Sequence, residues 1–151
     1  MFNNLNTTLV EIVLPNYNSA PYLEETINSI LNQTYTNWKL TITDAYSNLE
    51  TKKILKKYAD HPKINIIWLK KNKKAGFCRN LIIRNSKAEY LAFIDSDDIW
   101  EKNKLFKQMN FMIKNKYYFT YTNYQPFQDS QKENQYKEIC PEEIFTYNKF
   151  I

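Results

Sequence analysis

Four short apolar runs alternate with amphipathic segments, and this alternation constrains the fold of the chain more than any other feature of its sequence. The runs predict strands at Leu9–Leu14, Lys39–Thr43, Ile64–Leu69 and Tyr90–Ile94. The segments between and after them predict helices from Pro21 to about Leu31 and at Thr51–Tyr58, Phe77–Asn85 and Asn103–Lys114. Strands and helices that alternate in this way form βαβ units, so the sequence predicts an α/β fold with a mostly parallel sheet and helices on both faces.

The segment after the last predicted helix has a different pattern. Tyr117–Tyr124 (YYFTYTNY) is rich in aromatic residues and predicts a fifth strand. The chain is then polar as far as residue 138 and stops at Ile151. No linker, internal repeat or low-complexity block divides the sequence, so we expect a single domain over residues 1–151.

Composition excludes several classes of protein. With 43% hydrophobic and 16% aromatic residues, the chain is too apolar to be disordered. No run approaches the roughly 18 consecutive apolar residues of a membrane span. Two cysteines, Cys78 and Cys140, are too few for a disulfide framework, and the N-terminus lacks an apolar signal region, so we expect a cytoplasmic protein.

Charge and glycine content limit how the chain can bind an anion. The net charge of +5 suits a phosphorylated ligand, nucleic acid or an anionic membrane surface, and an ordinary lysine-rich solvated surface explains it equally well. The lysines are dispersed and His61 is isolated, which argues against nucleic acid. The single glycine, Gly76, excludes glycine-rich phosphate loops, so a bound phosphate needs a metal ion, cationic side chains or a helix N-terminus.

Three polar segments follow predicted strands, at Pro15–Ser19, Asp44–Ser47 and Asp95–Asp98. Ligands of open parallel sheets bind beyond the carboxyl ends of the strands, where these segments lie. The last segment contains three carboxylates, whose mutual repulsion is relieved by a hard divalent cation such as Mn²⁺ or Mg²⁺. The alternative is a simple helix N-cap at Asp98, whereas Ile99 and Trp100 exclude an EF-hand loop.

Longer strings of this sequence resemble family 2 glycosyltransferases, which have the Rossmann-like GT-A fold. They are IVLPNYNSAPYLEETINSILNQTYTNWKLTITD, CRNLIIRNSKAEYLAFIDSDDIW and KLFKQM. The resemblance covers about residues 8–124 and combines a P-x-Y-N loop, an S-I-L-N-Q-T-Y helix end, an R-N pair and an Asp-x-Asp motif.

The resemblance implies roles for individual residues. Tyr17 matches the aromatic residue that stacks on the donor base, although a core tyrosine is the alternative. Asp44 matches an acid beside the nucleoside, and Arg79 an arginine near the base and diphosphate. Asp97 is implied as the direct metal ligand, with Asp95 at the ribose or at a metal-bound water. The implied cofactor-binding set is Pro15, Tyr17, Asp44, Arg79, Asp95 and Ser96, and the implied metal set is Asp97 and Asp95.

The resemblance also implies an activity, which is inverting transfer of a sugar from a nucleotide diphosphate sugar to an acceptor hydroxyl. The implied acceptor is a saccharide or lipid-linked molecule in surface polysaccharide or lipopolysaccharide synthesis, with peripheral association at the inner face of the plasma membrane. No residue is assigned as the general base. In the family the base lies in a later segment, and this chain stops before that segment is complete. We therefore expect this chain to fold and bind its donor without transferring sugar, and the alternative function is a non-catalytic nucleotide-sugar-binding module.

Two residues depart from the family pattern Asp-Asp-Gly-Ser. Ala45 stands where a second acid often contacts a uracil edge, so either the donor base is not uracil or the site is weakened. Tyr46 stands in place of the glycine, which makes a positive φ harder to adopt.

Overall fold

The computed structural model of the protein describes residues 8–127 and 137–140. Its strands are β1 (Val10–Asn16), β2 (Trp38–Asp44), β3 (Ile64–Trp68) and β4 (Tyr90–Phe93). Its helices are α1 (Ala20–Leu31), α2 (Leu49–Lys57), α3 (Ala75–Asn85) and α4 (Lys104–Asn115). The four predicted strands and four predicted helices are confirmed. The predicted domain also includes residues 1–7, 128–136 and 141–151, which lie outside the described residues.

The four strands form one parallel sheet in the order β3-β2-β1-β4. β1 is longer than predicted, because Pro15 and Asn16 stay in register with Thr43 and Asp44 of β2. Strand order reverses beside β1, since the chain first adds β2 and β3 on one side and then β4 on the other. The carboxyl ends of β1 and β4 therefore form the switch point at which such sheets bind ligands.

Helices cover both faces of the sheet, as predicted. On one face, aliphatic side chains of β1 and β2 share a buried core with residues of α1, α2 and α4, including Ile12, Leu40, Leu23, Leu55 and Leu105. Each such side chain contributes about 1.5–3 kcal/mol through its removal from water. On the other face lies α3, where the Thr43 hydroxyl donates to the Cys78 carbonyl over 3.4 Å.

The predicted fifth strand at Tyr117–Tyr124 is wrong. Within the described residues, the segment forms only an isolated antiparallel bridge between Tyr124 and Ile139, and Tyr118 is 94% exposed. Aromatic residues favour strands only where a neighbouring strand supplies hydrogen bonds and packing. The segment instead leaves α4 through Lys116, which adopts φ 57°, and the Tyr117 amide donates to Met112 O over 2.9 Å.

Within the described part of the chain, none of the helices combines the length and the apolar character that crossing a membrane requires. The longest of them, α1 and α4, have 12 residues each. Both are amphipathic and bury one face against the sheet.

Candidate functional site

A cleft of about 240 Å³ opens at the carboxyl ends of the strands and the N-terminus of α3. It is lined by Pro15, Asn16, Tyr17, Ala45, Lys73, Ala75, Cys78, Arg79, Asp95, Ser96 and Asp97. The cleft therefore brings together six of the seven residues implied by the sequence, all except Asp44. They come from three separate segments of the chain, which the parallel sheet places at one edge.

Asp44 lies behind the cleft and is fully buried, with 0% of its surface exposed. Asn16 Nδ2 donates to Asp44 Oδ1 over 2.8 Å, and the Ser47 amide donates to Oδ2 over 3.1 Å. Both carboxylate oxygens are thereby engaged within the protein. Asp44 supports the wall of the cleft, and its neighbour Ala45 is the residue of this segment that lines the cleft.

The loops after β1 and β2 are joined by further hydrogen bonds around Asp44. Asn16 Nδ2 also lies 3.3 Å from Ser47 Oγ, and Asn16 Oδ1 accepts from the Ser19 hydroxyl. Ser47 Oγ accepts from the Asn18 amide over 3.0 Å. The sequence analysis missed Asn16 and Ser47 as linking residues, although both stand in polar segments that directly follow strands.

Tyr17 and Tyr46 are both exposed near this network. Tyr17 is 49% exposed, which rules out the alternative of a core tyrosine and leaves its ring available at the cleft. Tyr46 adopts φ 67°, so the positive φ that the sequence made hard to adopt is present with a bulky residue. The Lys52 ammonium lies 4.7 Å from the centroid of the Tyr46 ring and partly compensates that conformation.

The basic side of the cleft is formed by Arg79 and Lys73. Arg79, on α3, pairs with the Asp95 carboxylate across the cleft. Lys73 precedes α3, and its ammonium lies 5.0 Å from the centroid of the Phe77 ring. Lys73 had no role among the residues implied by the sequence. Together the two side chains supply the cationic groups that a phosphate needs in the absence of a glycine-rich loop.

Cys78 also lines the cleft, and its thiol is not suited to nucleophilic chemistry. Burial and, to a smaller extent, the negative charge of Asp44 raise the pKa of Cys78 above its ordinary value. The reactive form of cysteine is the thiolate, so Cys78 remains an unreactive thiol at neutral pH.

The loop after β4 carries Asp95, Asp97 and Asp98, of which Asp95 and Asp97 line the cleft. Partial burial and then the carboxylates of Asp95 and Asp97 raise the pKa of Asp98, which shows that the three negative charges oppose one another. Asp97 makes no hydrogen bond or ion pair among the contacts of the described residues.

The carboxylates fit a divalent cation that also takes ligands from a bound phosphate. Among the described residues, no three acidic, histidine or cysteine side chains converge to hold a metal by themselves. Mg²⁺ and similar ions, however, usually bind one or two protein carboxylates together with substrate phosphates. Asp95 and Asp97 supply two such carboxylates at the cleft.

A second cavity, of about 320 Å³, lies on the α3 face of the sheet and is lined by residues of β1, β2 and β3. Its buried charge, Glu11, is already paired with Lys39 over 2.9 Å and accepts from the Thr41 hydroxyl over 2.7 Å. The other charged residue of its lining, Lys63, donates from its ammonium to Thr36 O over 2.6 Å.

The model of the family described as glycosyl transferase family 2 matches residues 11–150. The chain belongs to this family. The match includes the residues that line the cleft, from Pro15 to Asp97.

Individual relatives agree with this assignment. The chain is 37% identical over 117 residues, or 77% of its length, to TuaG of Bacillus subtilis, a glycosyltransferase named for teichuronic acid biosynthesis. It is 34% identical over 143 residues, or 95% of its length, to WfgD of Escherichia coli, a UDP-Glc:alpha-D-GlcNAc-diphosphoundecaprenol beta-1,3-glucosyltransferase. The chain spans 46% of TuaG and 55% of WfgD, about half the length of these relatives.

A solved structure shows the same fold. Staphylococcus aureus TarS 1-349 in complex with UDP matches with a TM-score of 0.66 at 26% identity, over 71% of this chain and 32% of that one. The four-stranded parallel sheet with helices on both faces is thus part of a GT-A fold, as the sequence resemblance implied.

Proposed function

We propose that the cleft binds the diphosphate and nucleoside of a nucleotide diphosphate sugar, and that the protein acts as an inverting glycosyltransferase. The observation that carries this proposal is the convergence of Tyr17, Arg79 and the two carboxylates Asp95 and Asp97 on one cleft at the switch point of the sheet. A base, a diphosphate and a divalent cation require these three kinds of group in close proximity.

Each group has a part that its position supports. The exposed ring of Tyr17 offers a stacking surface for the base, with Pro15 and Ala45 beside it in the wall. Arg79 and Lys73 face the diphosphate. Asp44 acts as a positioning residue for this wall, because its carboxylate is used by Asn16 and Ser47.

The acidic loop provides the remaining binding groups. Asp97, with Asp95 in support, would hold Mn²⁺ or Mg²⁺, and Ser96 lies between them in the cleft wall. Such a cation, when bound, neutralises the charge that develops on the leaving diphosphate. Arg79 keeps Asp95 oriented through their ion pair. Its positive charge also reduces the electrostatic repulsion between the two carboxylates and the phosphate.

The relatives support a class of donor and acceptor. TarS was solved with UDP, and WfgD is named for a UDP-glucose donor and a diphosphoundecaprenol-linked acceptor. We infer for this protein a nucleotide diphosphate sugar donor and a saccharide or lipid-linked acceptor in surface polysaccharide synthesis. A lipid-linked acceptor places the reaction at the inner face of the plasma membrane, with the protein associated peripherally.

One observation favours a second function, a non-catalytic nucleotide-sugar-binding module. Among the described residues, Asp95 and Asp97 are the carboxylates that line the cleft, and both are committed to the diphosphate side. A general base must instead reach the acceptor hydroxyl. Incubation of a longer gene product that contains these residues with UDP-sugars, Mn²⁺ and lipid-linked saccharides distinguishes the two, because only the enzyme forms a glycoside over multiple turnovers.

Calorimetric titration tests the binding function that both alternatives share. The protein is titrated with UDP and with GDP, each in the presence of Mn²⁺ and of EDTA. We expect at least one nucleotide to bind, and to bind more tightly with Mn²⁺. Binding of neither nucleotide, in either condition, would contradict the proposal.

A further inference from the structure

The buried face of α1 and the turn after it contain three polar side chains, Thr26, Ser29 and Gln33, with exposed fractions of 0%, 8% and 6%. Their spacing of i, i+3 and i+7 places them along one side of the helix. Burial of a polar side chain is unfavourable unless it is hydrogen-bonded. The neighbouring buried residues of α1 are ordinary core residues such as Leu23 and Ile27, so the three polar residues require an explanation of their own.

All three side chains bond to the backbone of the segment that runs from the acidic loop into α4. Thr26 Oγ1 donates to Ser96 O over 3.1 Å and shares this hydrogen with the longer acceptor Tyr22 O, at 3.3 Å in α1 itself. The Trp100 amide donates to Ser29 Oγ over 3.1 Å. Gln33 bonds to this segment twice, because Nε2 donates to Glu101 O over 2.8 Å and Oε1 accepts from the Leu105 amide over 3.0 Å.

The three side chains also orient one another. The second Gln33 Nε2 hydrogen is directed to Ser29 O over 3.1 Å, and the Ser29 hydroxyl donates to Thr26 O over 2.7 Å. The Ser29 oxygen is thereby left to accept from Trp100. A connected network in which the donors and acceptors match resists displacement.

We infer that Thr26, Ser29 and Gln33, the α1 clamp, are positioning residues that hold Asp95 and Asp97 toward the cleft. The inference rests on the proposed function of the acidic loop. The Thr26 bond is the most informative of the set, because Ser96 stands between the two carboxylates and its carbonyl fixes the intervening peptide. Ser96, Asp95 and Asp97 all line the cleft, whereas no residue of the α1 clamp does.

The geometry of a cation site makes this positioning consequential. Small divalent ions require near-ideal ligand placement, and a site must be held to within about 0.5 Å of its productive geometry. The carboxylates themselves are exposed and receive little support from packing. The backbone path that the α1 clamp fixes is therefore the main determinant of where Asp97 can place its oxygens.

The test compares Thr26→Val with Thr41→Val, which is the same substitution of a buried hydroxyl at a site outside the cleft. Thr41 is 4% exposed and donates to Glu11 in the second cavity. Thr26→Ser retains the hydroxyl and serves as the rescue variant. For each protein the UDP dissociation constant is measured with Mn²⁺ and with EDTA, and the ratio of the two values gives the metal-dependent gain.

We expect Thr26→Val to reduce the metal-dependent gain by about tenfold, the lower end of the effect of residues that support metal ligands. Thr41→Val and Thr26→Ser should keep the gain of the unaltered protein, even where stability falls. Equal gains in Thr26→Val and Thr41→Val would overturn the inference, because Thr26 would then have only a structural role.

Amide hydrogen exchange in the nucleotide-free protein separates this inference from the proposed function. The Asp98 amide donates to Asp95 O over 3.2 Å, so Thr26→Val should accelerate exchange at this amide, and Thr41→Val should not. Unchanged exchange there would overturn the clamp even if UDP binds as proposed. The unaltered protein could show no metal-dependent gain in UDP affinity while exchange still accelerates in Thr26→Val. In that case the proposed cation site is wrong, whereas the inference that the α1 clamp holds the acidic loop is kept.

Discussion

The two walls of the cleft satisfy their charged groups in opposite ways. The buried wall, formed by Asn16, Asp44 and Ser47, has both carboxylate oxygens of Asp44 bonded inside the protein. The charged wall, formed by Arg79, Asp95 and Asp97, is exposed, and its bonds are limited to the pair between Arg79 and Asp95 among the described contacts. The carboxylate of the buried wall has its hydrogen bonds without a ligand, whereas Asp97 of the charged wall has none among the described contacts.

This difference indicates that the two walls contribute to ligand binding in different ways. A preorganised wall costs no rearrangement when a ligand binds and therefore contributes shape and orientation. A wall of opposing carboxylates gains most when a cation and a phosphate arrive, since they relieve the repulsion. Substitutions in the buried wall should therefore affect folding first, and those in the charged wall should affect metal-dependent binding first.

The largest effect is expected for Asp44→Ala in the buried wall. The substitution leaves the Asn16 amide and the Ser47 backbone amide without their acceptor in a buried site. Each such loss typically costs about 1–3 kcal/mol, so the free energy of unfolding should fall by about 3 kcal/mol. Urea denaturation measures the change, and a fall of less than about 1 kcal/mol would show that the wall is not held by Asp44.

Asp97→Ala in the charged wall is expected to act on binding alone. The side chain is exposed and has no bonded partner among the described residues, so the free energy of unfolding should change by less than about 0.5 kcal/mol. UDP affinity with Mn²⁺ should fall about a hundredfold, or about 2.7 kcal/mol, because a direct cation ligand is lost. Calorimetry tests the change. If the variant binds UDP with Mn²⁺ as tightly as the unaltered protein does, Asp97 is not a ligand of the cation.

Ala45→Asp adds a polar group beside the buried wall, at a position that lines the cleft. The carboxylate supplies an acceptor for a uracil N–H, so UDP affinity should rise about tenfold, within the range of one hydrogen bond. Ala45→Val is the matched control, since it adds volume without an acceptor. Unchanged UDP affinity, together with tighter binding of GDP to the unaltered protein, would favour a donor whose base is not uracil.

Tyr46→Gly is expected to give the smallest effect. Tyr46 has φ 67°, a conformation that costs a residue with a side chain about 1–2 kcal/mol, and loss of the Lys52 contact offsets part of the relief. The free energy of unfolding should therefore rise by about 0.5–1 kcal/mol. Tyr46→Ala keeps the strain and loses the ring, so it should be less stable than the original protein. If the glycine variant is no more stable than the alanine variant, the positive φ of Tyr46 does not strain the protein.

Much of the fold could be predicted because its signals are local. Apolar runs and helical spacing predicted eight elements, and the sheet-edge rule then placed Tyr17 and Asp97 at one edge of the sheet. Arg79 lies on a helix, and only the family resemblance implied its place in the site. The fifth strand failed for the opposite reason. Aromatic content at Tyr117–Tyr124 does not specify a partner strand, and pairing is a non-local property.

The site could be predicted only in part, because side-chain direction in a loop is not encoded by spacing. The sequence could not show that Asp44 turns inward while Ala45 lines the cleft, since both follow the predicted strand Lys39–Thr43. It also gave no sign that Thr26 contacts Ser96, 70 residues later in the chain. Such contacts depend on the packing of α1 against the loop after β4.

The most direct test of the account is to locate a bound Mn²⁺ by nuclear magnetic resonance. The protein is saturated with UDP, Mn²⁺ is added, and the broadening of each amide signal is compared with a Mg²⁺ reference. We expect the strongest broadening at residues 95–98, then at Arg79 and Tyr17, and little at Thr41 or Asn65 in the second cavity. Broadening centred on the second cavity, or none that depends on UDP, would contradict the assignment of the cleft as the nucleotide and cation site.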